Sequence, residues 1–94
     1  MTHALEELKS GKLIGLTGLK LACDLKKFPE DILSLADSLE VLDLSDNQLT
    51  KLPSSISQLK NLRIIFFSRN NFTKFPTVLS QCTALSTVSS THLT

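Results

Sequence analysis

The side chains able to do chemistry are few in this 94-residue chain and stand far apart. His3 and His92 lie at opposite ends, and Asp43 and Asp46 have no histidine near them to set up acid/base or nucleophilic work. Asp43, Asp46 and Asn47 offer oxygen ligands, but without the twelve-residue spacing of a calcium loop. Cys23 and Cys82 lack any C-x-x-C partner, so neither a zinc site nor a disulfide framework is signalled. Both cysteines take positions expected to face a core, where a thiol behaves as a small apolar group. Gly11, Gly15 and Gly18 are closely spaced, yet they match neither G-x-G-x-x-G nor a phosphate loop and read as turn residues. The chain is therefore expected not to be an enzyme and to need neither metal nor cofactor.

What must position the remaining polar groups is a repeated unit. A shift of 23 residues carries Leu39 onto Leu62, Leu42 onto Ile65, Leu44 onto Phe67, Asn47 onto Asn70, Leu49 onto Phe72, Leu52 onto Phe75 and Pro53 onto Pro76. Such a period means stacked units that bury a continuous core between neighbours and carry caps at their ends. Within one unit, Leu39, Leu42 and Leu44 point inward around a short parallel strand, while Val41 and Asp43 point to the opposite face. Asn47 stands where the chain leaves the strand, and its amide can satisfy backbone groups of adjacent turns, repeated at Asn70. The segment L-P-x-x-I-x-x-L returns as a short helical or 3₁₀ piece from Pro53.

The ends are irregular. Thr2 is placed to cap a short amphipathic helix with Leu5 and Leu8 on one face, stopped at Ser10 and Gly11, that covers the first unit. Leu19, Leu21, Leu25 and Phe28 form a first unit one residue short, with Cys23 in the asparagine place. The fourth unit starts with Leu85 and Val88, then sets Ser90 and Leu93 where an apolar residue and an asparagine belong. That leaves a parallel edge with unpaired backbone groups. A piece of a longer array is the favoured reading; a Ser/Thr-rich terminus that blunts the edge, or a second chain forming a homodimer there, are the others. The expected layout is residues 1–15 as capping helix and turn, then repeats at 16–38, 39–61, 62–84 and a partial one at 85–94.

Charge and composition narrow the partners. Residues 1–46 hold five lysines and all nine acids, residues 47–94 five basic residues and no acid, so the net charge of +1 hides an end-to-end gradient. There is no tyrosine or tryptophan and no RNA-binding motif, which argues against nucleic acid. Glu6 and Glu7 sit where a signal peptide needs its apolar run, and no stretch is long enough to span a bilayer, so a cytoplasmic protein that binds no membrane is expected. Lys27, Lys51 and Lys74 each stand two residues before a proline and would align as a basic stripe at one strand spacing of about 5 Å.

The run L-E-V-L-D-L-S-D-N-Q-L-T-K-L-P-S-S-I-S-Q-L-K-N-L-R resembles the 23-residue class of leucine-rich repeats found in Ras-group scaffolds and many bacterial proteins, over residues 16–90. The resemblance implies an α/β solenoid: a short right-handed horseshoe of about four repeats, with a parallel β-sheet on its concave face. It also implies protein binding through that face. The outward positions there are Lys20 and Ala22; Val41, Asp43, Ser45 and Asp46; Ile64, Phe66, Ser68 and Arg69; and Thr87, Ser89 and Thr91. Val41, Ile64 and Phe66 form an apolar patch, with Asp43 and Asp46 on one side and Arg69 on the other as a polar rim. These six are the candidate partner-binding residues of a non-catalytic interaction module. More loosely, F-P-E-D-I, L-D-L-S-D-N and L-R-I-I-F-F-S-R-N-N-F-T-K-F-P-T-V-L-S-Q-C are similar to the opening of bacterial proteins in which a repeat arm precedes a protein-kinase domain. That resemblance implies a regulatory or recognition arm of a larger kinase, although none of the kinase residues stands in this sequence. A self-associating structural unit is the third reading.

Overall fold

Three-residue strands are all that the alternation at each repeat supports, and a computed structural model of the chain, describing residues 3–74 and 76–89, contains four of them. They are β1 (Gly18–Lys20), β2 (Val41–Asp43), β3 (Ile64–Phe66) and β4 (Thr87–Ser89), joined in sequence order into one parallel sheet. The register follows the repeat: Leu19 faces Leu42, Leu42 faces Ile65, and Ile65 faces Val88. Each crossover returns through a 3₁₀ helix that begins just after a proline, at Glu30–Leu35, Ser54–Gln58 and Thr77–Gln81. Proline is suited to that place because its φ is preset and the helix's first amides have no internal partner to lose.

Between the sheet and the 3₁₀ layer lies the core. Leu39, Leu42, Leu44, Leu49, Ile56 and Leu59 of the second repeat, with Leu62 and Ile65 of the third, are fully excluded from water. Phe67 and Phe72 meet edge to face with ring centroids 5.0 Å apart, the geometry that the aromatic quadrupole favours. Cys82 is buried and its thiol approaches the Ile56 carbonyl at 3.5 Å, whereas Cys23 is only half-buried, contrary to the expectation of a core thiol. Burial fades along the sheet: Leu42 and Ile65 are fully covered, but Val88 at the equivalent place in β4 is 37% exposed. At the other end, helix α1 (His3–Ser10) lays Leu8 into the core, and Gly11 and Gly15 take the positive φ of the turns that lead to β1. The expected helix cap at Thr2 and the features at Phe75, Ser90, Thr91 and Leu93 lie outside the described residues.

Short strands leave many loop amides and carbonyls to be paired, and asparagine does this inside the stack. The Asn47 side-chain carbonyl accepts the N–H groups of Cys23 (3.1 Å) and Leu25 (2.9 Å). Its amide donates to the carbonyls of Leu21 (2.7 Å), Leu44 (2.8 Å) and Ser45 (3.3 Å). Asn70 repeats the pattern one unit on, accepting from Leu49 N–H (2.9 Å) and donating to Leu44, Phe67 and Ser68. Asn47→Ala should therefore destabilise the chain by about 2–4 kcal/mol, because it strands buried carbonyls as well as amides. Asn47→Asp should fare no better, since a carboxylate keeps the two accepted bonds but turns an acceptor toward the Leu21 and Leu44 carbonyls. Urea unfolding of both variants checks this against a total of roughly 5–14 kcal/mol for a chain of this size.

Candidate binding face on the sheet

All six residues singled out from the sequence lie on β2, β3 and the turns that follow them. Val41 stands directly across from Ile64, and Asp43 across from Phe66, each half-buried, with Leu42 and Ile65 turned inward between them. Two-residue alternation produces this placement, so the apolar trio Val41, Ile64 and Phe66 shares the face that the core does not use.

Alternation stops where the strands stop. Asp46 and Arg69 adopt left-handed backbone, with φ of 64° and 54°. Ser45 and Ser68, expected to face outward, are instead 7% and 6% exposed. The turn that delivers Asn47 and Asn70 into the stack swings the serines in with it. Asp43 does not extend freely as a rim group either, because one of its carboxylate oxygens accepts the Ser45 N–H at 2.9 Å.

Asp46 and Arg69 are not opposite sides of a rim; they are partners. The Arg69 guanidinium grips the Asp46 carboxylate through two nitrogens, Nε to Oδ1 and Nη2 to Oδ2, the latter at 3.0 Å. Hydrogen bonding from Arg69, helped by the charges of Arg69 and Lys20 and opposed by desolvation, holds the Asp46 carboxyl below its ordinary range. The bond to Asp46 likewise raises Arg69, with Asp43 adding to it. At the other end of the same strands Arg63 Nη1 meets Glu40 Oε1 at 3.4 Å. Two exposed ion pairs, each tying the second repeat to the third, thus bracket the apolar trio. Position within the repeat could have shown both pairs in advance, since each joins opposite charges 23 residues apart.

Among the described residues no group of three or more histidine, cysteine, aspartate or glutamate side chains is placed to hold a metal ion, and no helix is long and apolar enough to cross a membrane. The leucine-rich repeat family model, in two copies, matches residues 37–88, just over half of the chain. The chain belongs to the leucine-rich repeat family. Domains of this family generally mediate protein–protein interaction and are typically non-catalytic. A leucine-rich repeat protein of Leptospira interrogans is similar to it at 19% identity and a TM-score of 0.40. That match covers 96% of this chain but only 35% of the solved one, so this leucine-rich repeat chain spans about a third of that protein's length. No curated protein matches.

The lowered pKa of Asp46 has a definite consequence for stability. A carboxylate whose folded pKa lies below its unfolded value adds stability above the ordinary value of about 4, and loses it as pH falls through the folded value. Asp46→Asn keeps a residue tolerant of left-handed backbone while removing the charge. The variant should be less stable than the parent at neutral pH, and the difference should vanish in acid, as read from urea midpoints at the two pH values.

Proposed function

We propose that this chain is a non-catalytic module that binds a protein partner through the open face of its sheet, the concave side of a leucine-rich repeat solenoid. The observation that carries the reading is the apolar trio Val41, Ile64 and Phe66, set in register on adjacent strands and bracketed by the Glu40–Arg63 and Asp46–Arg69 pairs. An aromatic at the centre of a patch with a polar surround is the usual layout of a binding hot spot, where the rim excludes water and the centre supplies the energy.

The electrostatics refine the kind of partner. Lys20, Asp43, Asp46 and Arg69 gather two charges of each sign at one end of the strands and influence one another. The face is therefore close to neutral despite the gradient along the chain, and a strongly charged partner gains little from it. Shape and apolar contact at Phe66 set affinity, and the ion pairs set orientation.

Two substitutions separate binding from folding. Phe66→Ser, at a half-buried solvent-face position, should weaken the partner by about tenfold or more in titration calorimetry while leaving the circular dichroism spectrum unchanged. Arg69→Gly suits the left-handed turn, which disfavours arginine, and removes the guanidinium without straining the backbone. It should cost less binding than Phe66→Ser. Equal affinity in both variants and the parent would place the partner elsewhere.

A further inference from the structure

A second surface lies off the sheet, along the loops that precede the 3₁₀ helices. Lys26, Lys27 and Lys51 line one groove of about 470 Å³, together with Phe28, Pro53 and Glu30. Lys51 and Lys74 line the next, of about 290 Å³, whose walls include Leu52, Phe72 and Pro76. Lys51 and Thr50 line both grooves, so the two adjoin and together make a channel that follows three successive repeats. Its floor carries the half-buried Pro53, Pro76 and Val78 among threonines, and its rim is basic.

The lysines are not engaged elsewhere. Among the described residues, which include all nine acids, the only ion pairs are Arg63–Glu40 and Arg69–Asp46. Lys26, Lys27, Lys51 and Lys74 are all exposed. The one acid in the channel is Glu30, at the end near Lys27, where its carboxylate accepts the Ser55 hydroxyl at 3.2 Å. Beyond residue 46 the chain has no acid at all, so the Lys51–Lys74 end carries no opposing anion.

We propose that this channel docks an extended acidic segment of a partner protein in which carboxylates alternate with small apolar residues. In an extended chain neighbouring side chains point to opposite sides. One side then presents carboxylates to the lysine rim, while the other sets apolar groups against the half-buried Pro53, Pro76 and Val78. Side chains on one side of such a segment recur about every 6.7 Å, within reach of flexible lysines on adjacent repeats about 5 Å apart. Because Glu30 opposes an anion at one end, Lys51 and Lys74 contribute more than Lys27. This surface is separate from the sheet face, so either can fail without the other.

The test is fluorescence anisotropy on the full chain with a labelled peptide of about ten residues alternating glutamate and alanine. Lys51→Glu should weaken it at least tenfold and Lys27→Glu by a smaller factor, and Phe66→Ser should leave it unchanged. Added salt should weaken it in the parent, and exchanging glutamate for glutamine in the peptide should abolish it. Unchanged binding in Lys51→Glu and in a Lys51→Glu/Lys74→Glu double variant would overturn the proposal. So would equal or tighter binding of an oligothymidine strand of the same length, which would assign the channel to nucleic acid. A dimer in sedimentation that these lysine variants dissociate would also overturn it, by assigning the acidic segment to a second copy of this chain.

Discussion

The carboxamide of Asn47 is the constraint on which this molecule depends. Strands of three residues make few ladder hydrogen bonds, and most of each repeat is loop, whose amides and carbonyls would otherwise stay unpaired beside an apolar core. A single buried side chain, 6% exposed, answers for five of them in two repeats at once. Only an amide carries both an acceptor and two donors at the right reach, which is why neither aspartate nor leucine serves there. Asn70 continues the scheme, so the stack is held by a polar ladder inside and by leucines around it.

The exposed surfaces follow from that turn. Bringing Asn47 and Asn70 inward forces left-handed backbone at Asp46 and Arg69, and this throws their side chains outward, where they meet. The same turn carries Ser45 and Ser68 in and ends the solvent-facing row after Asp43 and Phe66. The sheet face is thus narrow, two positions deep on each strand, and its apolar content falls at Val41, Ile64 and Phe66. On the far side of the turn the chain runs to each proline, and there the repeated lysines gather around the channel.

Most of the fold was legible in the sequence because the repeat maps order along the chain onto order in space. Seven matches at an offset of 23 mark the two inner strands, their core leucines and the return segments. Local rules then failed where the backbone left the strand. Alternation, carried past Asp43 and Phe66, put Ser45 and Ser68 outside, and a short first turn hid the fact that Cys23 is half-exposed and lends its N–H to Asn47. The 23-residue offset joined Asp46 to Arg69 in principle, but left-handed φ at an arginine is not written in residue type, so alternation set the two on opposite sides of a rim. The groove walls between repeats were equally out of reach, since they depend on how successive loops pack and not on any one motif.

Hydrogen exchange at Leu25 and Leu49 tests the central role of the asparagines most directly. Their N–H groups bond to side-chain carbonyls of Asn47 and Asn70, not to backbone. If the asparagine ladder holds the stack, these two loop amides exchange as slowly as the amide of Leu44, which bonds to the Phe66 carbonyl in the sheet. Exchange at the rate of an open loop, while Leu44 stays protected, would contradict the account.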